Sequence, residues 1–197
     1  KMFRWSDSLS VVTIPAKVER IQSLKSLAKL ERVYVDVNNA NFSAIEGILY
    51  NKSNEVLYGC PRAYQGDVKV ADGTKRITTG AFIDCKDITR VDLPEGLQQM
   101  SFREFSRMAD LNEIIFRGVA PIHTATKDSE PVFLLQVMNP DLKIIVLKRA
   151  KNAYKEALVQ TSGEYLELNN QTPFFVEKDD MPQAKNIIGV KNFSKYE

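Results

Sequence analysis

Histidine is nearly missing from this chain: one, His123, occurs among 197 residues. A metal centre built on several histidines therefore cannot form within one chain, and a Ser-His-Asp triad would have to rest on His123 alone. His123 stands in a Pro121-Ile122-His123-Thr124 stretch with no acidic or nucleophilic pattern beside it, which reads as an ordinary loop. Cysteine is scarce too. Cys60 and Cys85 could in principle pair, but they lack the C-x-x-C spacing of a zinc or redox site. No sign of charge dominates, since 27 Lys and Arg stand against 25 Asp and Glu. That balance gives no electrostatic reason to favour nucleic acid or an anionic membrane. A continuous apolar run of about 18 residues, the length a membrane-spanning helix needs, is absent. So are G-x-x-x-x-G-K and G-x-G-x-x-G, which excludes the usual phosphate-cradling loops. The acidic pair Asp179-Asp180 lies in a polar tail and reads as solvated rather than as acid/base partners. These absences point away from an enzyme and imply no metal and no cofactor.

What is present is a periodic apolar pattern in a chain whose 44% hydrophobic and 26% charged residues suit a folded protein. Residues 68–90 and 91–113 carry it twice, at a period of about 23 residues. Val68, Val70, Ile77, Phe82, Cys85 and Ile88 recur as Val91, Leu93, Met100, Phe105, Met108 and Leu111. A further copy opens with Ile114 and Phe116. A shorter one lies upstream, with Val12, Ile14, Ile21, Leu24, Leu27 and Leu30 in the same slots, closing on Val33 and Val35. Such a period with an L-x-x-L-x-L core is that of a leucine-rich repeat, because a unit with one short strand cannot bury its apolar face until a neighbour stacks on it. The expected class is an α/β-type repeat solenoid of short parallel strands. Each unit contributes five or six buried side chains at about 1.5–3 kcal/mol apiece, enough to drive stacking but not to fold one unit alone. Cys85 sits on an apolar slot and reads as a small core hydrophobe, and Cys60, in a Gly-Cys-Pro turn, as a free and partly buried thiol.

Strands are expected near 12–14, 33–35, 68–70, 91–93, 114–116 and 144–146, stacked into one sheet. Turns recur after three of them, at Pro15-Ala16, Ala71-Asp72-Gly73 and Pro94-Glu95-Gly96. Arg76–Phe82 and Gln99–Phe105 are expected on the opposite wall. Ile48-Leu49-Tyr50 and Val56-Leu57-Tyr58 flank a polar turn and predict an inserted β-hairpin within about 42–61. Prolines 121, 131 and 140 imply a looser connection before the strand at 144. Residues 150–159 are good helix formers with Ala150, Ala153, Tyr154 and Ala157 on one face, expected as an end cap. The solenoid is thus expected to span 1–159, with 160–197 an extension of unassigned structure that includes a strand at Phe174-Phe175-Val176.

The repeat resembles the BspA-like leucine-rich repeats of bacterial surface proteins. The resemblance rests on Val91-Asp92-Leu93-Pro94, Ile77, Ala81-Phe82, Cys85 and Ile88, on "NFSAIEGILYNKSNEVLYGCP" as the family's hairpin, and on "LKIIVLKRAKNAYKEA" as its closing strand and helix. It covers residues 9–158. Arg103-Glu104-Phe105 departs from Gly80-Ala81-Phe82, the upstream copy lacks both Phe and Cys, and Leu147 stands where a Pro is usual. The resemblance implies an extracellular or surface-anchored protein that binds a host or matrix component, with no catalytic residues. The chain opens on Lys1 rather than Met, as expected if a leader or a longer protein precedes it.

Alternation turns the middle residue of each strand triplet away from the core, and stacking aligns these residues in a ladder: Thr13, Tyr34, Lys69, Asp92, Ile115 and Ile145. Arg32, Arg90 and Glu113, two residues before Tyr34, Asp92 and Ile115, share that face. The candidate binding residues are therefore Arg32, Tyr34, Lys69, Arg90, Asp92, Glu113 and Ile115, on a surface suited to a protein or polysaccharide ligand. The expected function is adhesion-like binding, and the alternative is a structural spacer or assembly module in a longer surface protein. Asn41-Phe42-Ser43, Asn51-Lys52-Ser53, Asn170-Gln171-Thr172 and Asn192-Phe193-Ser194 match the N-glycosylation pattern, which is short enough to arise by chance.

Overall fold

A computed structural model describes residues 8–22, 24–101, 103–105, 107–122, 124–127, 130–132, 139, 141–157, 164–166, 174–176 and 186–196. His123, Asp179-Asp180 and the Asn170 sequon lie outside these. The alternating pattern of Val11–Ile14 makes the first strand, β1, whose Val12 and Ile14 point inward while Val11 and Thr13 face solvent. It pairs in parallel with β2 (Arg32–Val35), setting Val12 beside Val33 and Ile14 beside Val35.

Three antiparallel strands follow: β3 (Phe42–Ile45), β4 (Ile48–Asn51) and β5 (Val56–Gly59). The expected hairpin is thus a meander with one more strand. Its first turn uses Glu46 and Gly47, both at positive φ (52° and 83°), the conformation a two-residue hairpin loop requires. Because the triplet Ile48-Leu49-Tyr50 is apolar on both faces, all three of these β4 residues are buried and the strand divides the interior. Leu49 joins Phe42 in an N-terminal cluster with Val12, Leu27, Leu30 and Val33, whereas Ile48, Tyr50 and Leu57 enter the main core.

The repeats continue as β6 (Gly66–Lys69), β7 (Arg76–Ile77), β8 (Ile88–Leu93) and β9 (Glu113–Phe116). An antiparallel pair follows, β10 (Ala125–Lys127) and β11 (Glu130–Val132), then β12 (Lys143–Leu147). A 3-10 turn (Lys148–Ala150) leads into α1 (Lys151–Ala157), and then come the antiparallel pair β13 (Glu164–Leu166) and β14 (Phe174–Val176), and β15 (Ile187–Val190). One parallel sheet has the order β15-β12-β9-β8-β6. Its register pairs Val68 with Val91, Val91 with Ile114, Ile114 with Ile144 and Ile144 with Ile187, so equivalent repeat slots lie side by side. All twelve apolar residues of the two matched copies are buried, Phe82 and Phe105 completely, with ring centroids 5.9 Å apart. Cys85 is buried as expected; Cys60 is buried as well, and both thiols are free.

On the opposite wall β7 pairs in parallel with β5, and Arg76 bridges to Gln99. The last strand of the meander therefore serves as a wall strand rather than as a pure insertion. The strands at 11–14 and 32–35 do not join the five-stranded sheet: the tip of the meander's first turn meets β2 instead, with Val33 N–H donating to Gly47 O at 2.9 Å.

Two buried polar side chains join neighbouring turns of chain. Asn39 donates to the Pro15 and Val18 carbonyls (2.8 and 3.0 Å) and accepts from the Asn41 and Phe42 amides. Glu104, where the sequence departs from Ala81, reaches back one repeat to accept the Gly80 and Ala81 amides at 2.8 and 2.9 Å.

The C-terminal end differs from expectation. Ala150 and Tyr154 are buried and the Tyr154 ring lies 5.5 Å from Phe116, but Ala153 is exposed. The helix is not the end of the array, because β15 adds to β12 beyond it and packs on α1. Gly189 permits this approach: a Cβ there would lie 3.1 Å from Lys148 Cα. The segment after 160, which showed no repeat, thus supplies the edge strand of the sheet. Its apolar quartet Ile-Ile-Gly-Val is too short to show a period.

Candidate functional site

Parallel pairing fixes the outward face of the strands. In the N-terminal pair, Thr13 stands beside Tyr34 and Val11 beside Arg32. All four are exposed, Tyr34 by 52%. In the main sheet Lys69 is exposed beside Asp92, and Arg90 stands beside Glu113. These charges link successive strands. Arg90 pairs with Asp67 of the neighbouring β6 at 2.5 Å, while Thr89 Oγ1 donates to Asp67 Oδ1 at 2.8 Å; Glu113 of β9 lies 3.8 Å from Lys143 of the neighbouring β12.

Three members of the expected ladder are not exposed. Asp92 is 4% exposed, Ile115 fully buried and Ile145 nearly so. Ile115 and Ile145 lie under residues 190–196, which cross the outward face, and Asp92 lies under Arg117. Phe193 packs with Ile115 and Ile145 in a small apolar cluster separate from the main core, flanked by Leu147, Val190 and Tyr196. Asp92 is gripped on both oxygens by Arg117, at 2.8 Å from Nε and 2.7 Å from Nη2. The same guanidinium lies 5.0 Å from the Phe193 ring centre, and that of Arg90 lies 5.8 Å from the Tyr196 ring. The tail turns through Asn192, whose side-chain oxygen accepts from the Ser194 hydroxyl at 2.7 Å, and through Tyr196 N–H donating to Phe193 O at 2.8 Å.

Asp92 and Ile115 are thus withdrawn from solvent, while Arg32, Tyr34 and Lys69 remain on it. Sequence reasoning missed Arg117, Phe193 and Tyr196. Alternation carries the signal for Arg117, since it follows Ile115 by two residues and shares its face. The aromatic pair three residues apart in a polar tail carries the other.

A concavity of about 650 Å³ lies among the N-terminal cluster, the meander and β7. Arg20, Gln22, Lys25, Tyr58, Thr78 and Thr79 contribute to its lining, with Tyr58 edge-on to Phe42 at 5.7 Å. Lys25 Nζ donates to Thr79 O at 3.1 Å. Cys60 also borders this space, but burial pushes its thiol well up, which suppresses the thiolate that nucleophilic chemistry needs. Among the described residues no grouping of three or more His, Cys, Asp or Glu could hold a metal, and no helix is long and apolar enough to cross a membrane.

No protein-family model and no curated protein matches the chain. Solved structures do. The pneumococcal vaccine antigen PcpA is 14% identical, with a TM-score of 0.42 over 77% of this chain and 54% of that one. A leucine-rich repeat protein from Eubacterium ventriosum is 16% identical, with a TM-score of 0.42 over 74% of this chain and 53% of that one. A leucine rich cell surface protein from Faecalibacterium prausnitzii is 21% identical, with a TM-score of 0.43 over 72% of this chain and 43% of that one. The chain spans about half the length of these structures.

Proposed function

We propose that this chain is a non-enzymatic binding protein, secreted or held at the cell surface, whose repeat solenoid recognises a host or matrix protein or polysaccharide through the outward face of its parallel strands. The observation that carries this reading is the uncovered strip on β1 and β2, where the register sets Val11 and Thr13 against Arg32 and a half-exposed Tyr34. Tyr supplies apolar area at a low cost in conformational freedom, and Arg supplies directed hydrogen bonds. Lys69 on β6 adds a cation on the outward face of the main sheet. The place outside the cell is supported by the resemblance of the repeat motif to the BspA-like pattern.

The test replaces Arg32, Tyr34 and Lys69 together by Ala and measures binding to immobilised matrix proteins and polysaccharides. A loss of at least about tenfold, equal to about 1.4 kcal/mol, is expected with the unfolding transition unchanged. Unchanged binding by a folded triple variant removes this face as the site. A wild-type chain that binds nothing across such a panel favours the spacer reading.

A further inference from the structure

We infer that the outward face of the main sheet contains a receptor site for an aromatic peptide segment of Phe-x-x-Tyr spacing, and that the chain's own tail, Lys191–Tyr196, occupies it as a displaceable plug. This rests on the reading that the outward face is the binding face. Three observations carry it.

The first is that the residues beyond β15 pack on the outer face alone. Ile187 of β15 belongs to the main core and Val190, the last residue of that strand, to the small outer cluster, where Phe193 and Tyr196 join it. Neither Phe193 nor Tyr196 contributes to the main core. The second is that the surface beneath is built for a ring. Ile115 and Ile145 form an apolar floor, Arg117 presents its guanidinium 5.0 Å from the ring centre, and Asp92 holds that guanidinium in place with two hydrogen bonds. A buried Asp92 holding a partly buried Arg117 under one aromatic ring orients the cation over a fixed spot, which gives the site geometric selectivity for a flat apolar group. The third is that the second aromatic meets a second cation: Tyr196 lies 5.8 Å from Arg90, and the Tyr196 N–H to Phe193 O bond sets the spacing between the two rings. Arg90 on β8 and Arg117, one residue past the end of β9, thus each face one of two rings three residues apart in the tail.

The occupant that fits is a peptide with Phe and Tyr in a tight turn, carried by a partner protein. Such a partner must compete with a tail whose effective concentration in the same molecule is of millimolar order, so the plug sets a threshold for binding.

The test uses the full chain with Phe193→Ala and Tyr196→Ala together, beside the intact chain. Each is titrated by two-dimensional NMR with the synthetic hexapeptide Lys-Asn-Phe-Ser-Lys-Tyr, and with the same peptide carrying Ala for Phe. The substituted chain is expected to bind the first peptide with a Kd in the millimolar range or below, at least about tenfold tighter than the intact chain. Shifts should centre on Arg90, Asp92, Ile115, Arg117 and Ile145, and the Ala peptide should lose the effect. No binding by the folded substituted chain, or equal binding by both chains, overturns the inference. A measurement on the intact chain guards against a variant that does not fold. The Tyr196 amide should exchange with deuterium at least about tenfold faster than the Ile145 amide, through an opening confined to the plug. Exchange of both at one shared rate overturns it. The peptide experiment needs no natural ligand and leaves Arg32, Tyr34 and Lys69 untouched, so failure here is distinguishable from failure of the Arg32–Tyr34–Lys69 variant above.

Discussion

Glu104 makes the stability of this protein depend on pH in a direction opposite to that of most carboxylates. Its side chain is buried between two repeats, where it accepts the amide hydrogens of Gly80 and Ala81. Burial pushes its pKa up to about 7, and the backbone donors of Gly80, Ala81 and Phe82 with the charge of Lys25 offset only part of that rise. In the unfolded chain the same group titrates near 4.5. The folded state therefore binds the proton more tightly. The contribution of the group is full below about pH 4.5 and is lost as pH rises through about 7. A gap of this size corresponds to about 3 kcal/mol. Urea unfolding of the wild type and of Glu104→Gln, each at pH 5 and pH 8, isolates the effect, because every other titration is common to both chains and the amide cannot ionise. The stability difference between the two chains should change by about 2–3 kcal/mol between these pH values, with the wild type losing ground at pH 8. A difference that stays constant within about 0.5 kcal/mol would refute the claim that this carboxyl is desolvated by stacking of the repeats.

Two further outcomes test the packing. Phe82→Ala should lower stability by about 3–5 kcal/mol, read as a shift of the urea midpoint at unchanged slope, and a loss below about 1 kcal/mol would contradict its place as a packed slot of the repeat. Arg117→Ala should cost about 3 kcal/mol by leaving Asp92 as a buried charge without its bidentate partner, and Asp92→Asn in the Arg117→Ala background should recover part of that loss in thermal unfolding.

The apolar slots were legible in the sequence because each recurs in chemically similar form, so Val68, Val91, Ile114 and Ile144 align without knowledge of the sheet. The site was legible only in part. Alternation correctly sets Thr13, Arg32, Tyr34 and Lys69 on the outward face, but it reports which side of a strand a residue occupies, not whether a distant segment lies over that side. Asp92 and Ile115 were misread as exposed for this reason. Nothing in the sequence around Ile115 says that residues 190–196 return to cover it. The first strand of the meander was hidden similarly, since Phe42–Ile45 carries Ser43 and Ala44 in place of a plain alternating pattern.

By itself, then, the sequence determined the repeat, its strand register and its buried slots, because stacking demands apolar side chains at the same place in every unit and so writes itself periodically along the chain. The tertiary structure alone decided that β4 divides two cores, that Glu104 links one repeat to the one before it, and that Phe193 closes over Ile115 and Ile145 beside the Arg117–Asp92 pair. Each of these depends on contacts between residues far apart in the chain that are made once, and a contact made once leaves no period to read.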